Sequence, residues 1–376
     1  MVNAYEEHTD QQNAQRSASP TSLNEILKTI PDECFQQDPW QAWGTLFTNL
    51  LLLLVGYGLL IAAPQALQLP LCFFVGTTFT RLFVLAHDCG HYSFAQQKWI
   101  NDWVGQLLLL PLLYPLENWR IRHNCHHIHT NKLGGKGWKQ FVDIRDRKAD
   151  PVWFPLRQEL WHKLSLPNRA MFWLFRGPLW WIGSVINWWQ DELLLNQMTP
   201  LSAGERHRVR LSIAAVFLFA TFFFPTLIYF TGIWGLIKYW LMPWLVFHFW
   251  MSVFTRIQHS SPDVPWRSGE NWTMIAAQLG GTVHCDYPWG IEFLCHHINV
   301  HIPHHLSVRI PHYHLRKAHQ ALKQHWGEHI KEVKFSWPLL LQMGTLHLYD
   351  EQKSIYSSVP FRDIASGNSR SFRQID

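Results

Sequence analysis

The chain of 376 residues is 48% hydrophobic and only 16% charged, with 22 Trp, 24 Phe and a formal net charge of +5. Its length admits two soluble domains, but such aromatic loading is unusual away from a bilayer interface. A mean hydropathy of −0.10 equally excludes a simple bundle of spans, so a substantial part lies in water.

Residues 1–28 are polar and mixed, and no apolar run of signal-peptide type occurs among them. The Glu6–Glu7 pair and the scarcity of Arg speak against an organelle transit peptide, so a disordered, uncleaved tail is expected. Between Asp38 and Arg81 no residue is charged. This stretch holds two apolar runs, 44–63 and 71–87, joined by a connector over 64–70. The pattern recurs at 211–231 and 235–255, joined by Gly232-Ile233-Trp234. Each run approaches the ~20 apolar residues a span needs. The expected fold is therefore an all-α integral membrane protein with four transmembrane helices in two hairpins.

Loop charge sets the orientation. Neither connector carries Lys or Arg, whereas Glu117 to Arg210 carries 15 Lys/Arg against 8 Asp/Glu. Positive-inside logic places both termini and the long middle segment in the cytoplasm. The apolar stretches 103–115 and 171–189 are broken by proline or glycine and read as helices lying in the interface. The expected organisation is a tail over 1–28, one membrane domain with a cytoplasmic helical cap over 29–350, and a polar tail over 351–376. Six Cys show neither a CxxC pair nor an extracellular framework, which suits free thiols in a reducing compartment.

The 23 His raise the expectation of a metal site. Three clusters stand out: His87 and His91; His123, His126 and His127; and His301, His304 and His305, the last two clusters sharing an HxxHH spacing. Residues four apart share a helix face. His126 and His127 flank the line of His123, an arrangement suited to ligands divided between two adjacent metals. His259, beyond the fourth span, is a ninth candidate. The expected topology brings all of them to the cytoplasmic boundary. One HxxxH pair alone is more often a polar helix face, but three boxes meeting at one face are hard to explain that way. Imidazole admits Fe, Zn, Cu or Ni, and eight or nine ligands exceed the about four that one Zn would take. His129, His284, His296, His312, His314 and His319 show no repeated spacing and are left outside the set. His248, deep in the fourth span, reads as a packed polar residue.

At these residues the chain resembles the membrane fatty acid desaturases. The resemblance spans roughly residues 26–350 and rests on IPDECF (30–35), HDCGHYSF (87–94), WRIRHNCHHIHTN (119–131), the block 281–311 and HLYD (347–350). The block 281–311 is most similar to the cyanobacterial acyl-lipid delta-12 and plastid omega-6 enzymes. The resemblance implies a non-haem pair of iron ions, O2 as oxidant, ferredoxin as electron donor, and a cis double bond placed in an oleoyl chain of a glycerolipid. It also implies the ligand set His87, His91, His123, His126, His127, His301, His304 and His305, with His259 as the additional histidine. A thylakoid or plasma membrane is the implied location. His297 stands where the family pattern has Asp, and Asn124-Cys125 replace more polar or histidine residues.

No flavin, dinucleotide or fused haem-domain motif is visible, so electrons must come from a separate protein. Arg145, Arg147 and Lys148 could steer an acidic donor or merely set topology against anionic lipid. Arg81 could snorkel to the boundary or contact a substrate carbonyl or a carboxylate near the metals, and Asp88 could orient a ligating imidazole or simply end its helix. Two other functions compete. A carotenoid hydroxylase or ketolase would share the boxes but not their flanks, and a metal transporter or sensor would place its polar residues along the spans.

Overall fold

The computed structural model describes residues 20–134, 149–153, 155–189, 201–366 and 373–375. These are mostly helical, and three helices are long and apolar enough to cross a membrane: Pro39–Ala62 (α1), Gln65–Gly90 (α2) and a stretch from Ala203 to Ser260. α1 starts where the Asp38 carboxylate accepts the backbone N–H of Trp40 at 2.9 Å and of Gln41 at 3.3 Å, with Pro39 at a position that needs no donor. The chain then reverses at Ala63–Pro64, so the expected connector over 64–70 is shorter. Pro70 lies inside α2, where it forfeits one ladder bond early in a long helix.

α2 is the spine. Every residue from Val75 to Gly90 is buried. Its threonines stay satisfied by bonding back to their own helix: Thr77 Oγ1 to Phe73 O at 2.7 Å and Thr78 Oγ1 to Phe74 O at 3.0 Å. Lys98–Leu109 (α3) follows and ends in a 3-10 turn over Leu110–Leu112 at Pro111. Trp99, Trp103 and Leu107, each four apart, form an exposed apolar stripe on α3, while Asn101, Gly105, Leu108 and Leu109 face inward. Leu116–Ile128 (α4) carries the second histidine cluster. The stretch 171–189, expected as one helix, is instead Leu166–Arg176, a 3-10 turn at Trp180–Ile182 and a single turn at Gly183–Asn187. Gly177-Pro178 breaks it, since proline excludes the helical conformation from the residue before it.

The third long stretch consists of Ala203–Leu236 (α5), a π turn at Ile237–Leu241 and Met242–Ser260 (α6). Straight, its 58 residues would reach about 87 Å. Instead Gly232 takes φ 68°, a conformation that suits glycine, within the connector expected at 232–234. The chain doubles back there, because the rings of Phe224 and Trp240 lie 4.6 Å apart where a straight helix would separate them by about 24 Å.

One expectation is corrected. The described chain is not purely helical. A four-stranded sheet has the order β1 (Leu156–Arg157), β4 (Leu348–Asp350), β5 (Ile355–Ser358), β6 (Arg373–Ile375), and β2 (Val283–Asp286) pairs in parallel with β3 (Lys331–Lys334). These strands are too short to show a period of two, and β1 pairs with residues nearly 200 positions away. The folded unit also extends past 29–350. A helical turn at Leu23–Leu27, capped by Ser22, buries Ile26 completely in the cluster of Val300, Ile302 and Leu306, and Tyr356 of β5 is fully buried against Tyr349. The rest of the expected tails, at 1–19 and 367–372, lies outside the described residues, as do Arg145, Arg147 and Lys148. None of the six cysteines forms a disulfide, and all are buried.

Helices cross closely at α2. A Cβ on Gly76 would stand 2.5 Å from both the Pro243 carbonyl oxygen and Val246 Cβ of α6. Gly76→Leu should therefore lower stability by about 1–3 kcal/mol or more, read as a lower thermal midpoint in detergent. Gly58→Leu, where nothing lies within 4 Å, should leave the midpoint almost unchanged.

Candidate metal centre

Four elements end or begin at one place. His87 lies in the last turn of α2, and His91 caps that helix with its N–H 3.1 Å from the His87 carbonyl. His123, His126 and His127 lie on α4, and His259 in the last turn of α6. His301 opens the single turn Ile302–Leu306 (α7), which holds His304 and His305. The structure gathers all nine into two groups: His87, His91, His123, His127 and His304, and His126, His259, His301 and His305. Within each group the candidate ligand atoms lie within 4.8 Å of one another.

Helix geometry explains the division. In an HxxHH turn, positions i and i+4 point nearly together and i+3 points about 100° from i+4. α4 therefore sends His123 and His127 to the first group and His126 to the second. α7 does the reverse, sending His301 and His305 to the second group and His304 to the first. The pair from α2 and the single His259 from α6 complete the sets.

Single ring nitrogens meet two neighbouring ring nitrogens at once. Nε2 of His123 lies 3.0 Å from that of His87 and 3.1 Å from that of His127, which is itself 3.0 Å from Nε2 of His304. In the second group, Nε2 of His301 lies 3.1 Å from that of His259 and 3.0 Å from that of His305. A neutral imidazole nitrogen carries either one proton or one lone pair, so His123, His127 and His301 cannot satisfy two such neighbours by hydrogen bonding. Lone pairs about 2.1 Å from a shared cation and at right angles to one another would sit about 3.0 Å apart. The donor sets thus fit metal ions.

An outer layer fixes ring orientation. Asp150 accepts from Nδ1 of His126 at 2.7 Å and is itself held by the N–H of Asn131 and of Val152, at 2.7 and 2.8 Å. Nδ1 of His305 faces Thr130 Oγ1 at 3.1 Å and Gln278 Oε1 at 3.2 Å. Thr130 passes its own proton to the His126 carbonyl at 2.9 Å, leaving its oxygen free to accept. These contacts leave Nε2 of both rings as the ligating atom. Asp88 accepts from Nδ1 of His312 at 2.8 Å and stands 3.7 Å from Nδ1 of His87, beyond hydrogen-bond reach. Trp119 stacks on His123 with centroids 4.7 Å apart.

Asp150, Thr130, Gln278 and His312 were not legible in sequence, since none stands at a repeated spacing from the boxes. Conversely, His297 does not reach the centre: its Nδ1 accepts from Arg316 Nε at 2.9 Å, and Glu292 lies 3.9 Å away. Arg81 meets no carboxylate among the described residues. It donates to the Phe293 carbonyl and lies over that ring at 4.7 Å. His248 is fully buried, with Nδ1 2.8 Å from Ser184 Oγ. Asn124 is exposed, and Cys125 Sγ lies 3.7 Å from His129 Nδ1. A cavity opens onto both groups: its wall includes His87 and His123 of the first and His126, His259 and His301 of the second, and the remainder is largely apolar, with Phe83, Tyr114, Trp188 and Phe254.

Burial, reinforced by mutual repulsion, holds His123, His127, His301, His304 and His305 well below the usual imidazole value. They remain neutral at physiological pH, the form that ligates.

The comparisons with known proteins agree with this chemistry. Residues 64–337 match the sequence model of the family described as "Fatty acid desaturase". The sn-1 oleoyl-lipid 12-desaturase of Synechocystis sp. is 44% identical over 341 residues, covering 90% of this chain and 92% of that protein. The Anabaena variabilis protein of the same name is 42% identical, covering 92% and 94%. The chloroplastic omega-6 fatty acid desaturase of Glycine max is 38% identical, covering 89% of this chain and 75% of its own length.

The buried rings make stability depend on acidity. Unfolded histidines take up protons as pH falls through about 6.5, whereas the folded ones resist, so acid favours the unfolded chain. The thermal midpoint of metal-stripped protein should fall steadily as pH drops from about 6.5, and a midpoint flat over that range would contradict the burial.

Proposed function

The chain belongs to the fatty acid desaturase family, and from that premise we propose that it is an acyl-lipid desaturase that places a cis double bond at delta-12 of an oleoyl chain in a glycerolipid. The observation that carries this reading is the cavity, whose apolar wall opens onto both histidine groups at once. A methylene offers no acidic proton and no polar handle, so shape and apolar contact must position it. Phe83, Tyr114, Trp188 and Phe254 supply that contact and exclude water beside the reacting carbons.

Two iron ions are the metals that suit this reading, one held by His87, His91, His123, His127 and His304, the other by His126, His259, His301 and His305. When bound, they supply the chemistry that couples removal of two hydrogens from adjacent carbons to reduction of O2 by two external electrons and two protons, giving two waters. The protein's residues orient and exclude. Asp150, Thr130 and Gln278 fix the rings of His126 and His305, Trp119 braces His123, and burial keeps His123, His127, His301, His304 and His305 neutral. The electrons come from a separate donor of the ferredoxin type.

The protein sits in the membrane through four spans: α1, α2 and the two arms that meet at Gly232. Both hairpins leave from and return to the cytoplasmic side, where the boxes and termini lie. The exposed Trp99, Trp103 and Leu107 support a position of α3 along the interface. Residues beyond the spans, with α4, α7 and the short sheets, form the cap over the metals.

Expression in a host that makes oleate but no linoleate should yield the 9,12-diene, and His301→Ala should abolish it; wild-type membranes that form no diene would overturn the assignment. Asp150→Ala should weaken iron retention about tenfold to a hundredfold, measured as iron per chain after dialysis, because the His126 ring loses its orienting partner.

A further inference from the structure

A third group of metal-ligating side chains lies apart from the two already described: His284, His319 and Glu332. Three chain segments supply them. His284 of β2 and Glu332 of β3 are partners in the parallel register, and His319 comes from the helix Leu315–Trp326 (α8). The two imidazole rings lie side by side, with centroids 4.3 Å apart and planes tilted by 32°. Nε2 of His319 is 3.0 Å from Glu332 Oε1, and Nε2 of His284 is 3.0 Å from Asp286 Oδ1. Lys323 occupies the other Glu332 oxygen at 2.5 Å, which leaves Oε1 directed at the rings.

Both rings are buried, His284 to 5% and His319 to 6% exposure, and Nδ1 of each has no hydrogen-bond partner among the described residues. Protonating both would set two cations against each other at van der Waals distance. A cation shared by Nε2 of both rings and Glu332 Oε1 lets both rings stay neutral, because it takes a lone pair from each Nε2 and charge from the carboxylate.

We propose that His284, His319 and Glu332 bind a divalent first-row transition ion such as zinc, with Asp286 as the fourth donor, at a structural site independent of the histidine boxes. Two imidazoles with one or two carboxylates are a donor set zinc accepts readily. The candidate atoms of His284, His319 and Glu332 lie at most 4.8 Å apart, against about 3.4 Å for a tetrahedral edge, so ligation draws the rings inward by about an ångström. The site ties β2 and β3 to α8. α8 packs through Leu315, Ala318 and Leu322 against Ile302 and Leu306 of α7, the turn that presents His304 and His305. A metal there braces the third histidine cluster from behind.

The test uses the full-length, iron-loaded protein in detergent, with zinc chloride as the only added metal. Wild type should retain one more zinc per chain after gel filtration than His319→Ala, at equal iron content. Its thermal midpoint should rise with zinc while that of the variant stays fixed. Glu332→Gln, which keeps the side-chain volume, should bind this zinc at least tenfold more weakly, and it decides the matter if His319→Ala fails to fold. Equal zinc retention by wild type and Glu332→Gln, or a zinc-dependent midpoint shared by both, would overturn the proposal.

Discussion

Everything in this structure serves one unfavourable arrangement: nine imidazoles, seven of them buried, converge on two points, with ring nitrogens as close as 3.0–3.1 Å. Without a cation these lone pairs repel, and no assignment of protons satisfies them all. Metal ions turn the repulsion into ligation, but only if the rings are held in place beforehand, so the scaffold must supply rigidity that the site does not. α2 supplies much of it. Its buried length from Val75 to Gly90 cannot shift without disturbing α1, α3 and α6, and glycine at 76 and 90 lets neighbouring groups approach its backbone.

The two HxxHH turns act as opposed brackets. Each sends two rings to one metal position and one ring to the other, so neither position can move without dragging both α4 and α7. α7 is only one turn long and has little helical stability of its own. Its position comes from the apolar cluster beneath it, where Ile302 and Leu306 pack with Ile26, Leu315 and Leu322. A site ligand thus depends on a helical turn near the N-terminus that composition marks as tail.

Polar groups around the centre are used sparingly. Asp150 is buried and saturated by His126, Asn131 and Val152, so it orients a ring without offering a free carboxylate to the cavity. Arg81, a charge within an apolar helix, is spent on the Phe293 carbonyl and ring, which anchors the block leading into the third cluster. The cavity beside the histidines is walled largely by aromatic and aliphatic side chains, as suits a substrate with no polar handle.

The sequence by itself determined the helical character, the places where long apolar helices run, and the nine histidines that meet. Each of these is a local property: uncharged length, a glycine at 232, or a spacing of three and four that a helix converts into direction. The division of the HxxHH residues between two histidine groups follows from the same geometry. Only the tertiary structure decided what those residues lean on. Asp150, Gln278 and His312 reach the centre from segments with no periodic relation to the boxes, and His284, His319 and Glu332 meet across separations of 35 and 13 positions. β1 pairs with β4 over a still longer distance, and His297, conspicuous in sequence, turns toward Arg316 instead. Local spacing dictates which way a side chain leaves its helix, whereas contacts between distant segments depend on how whole elements pack, and no single segment encodes that.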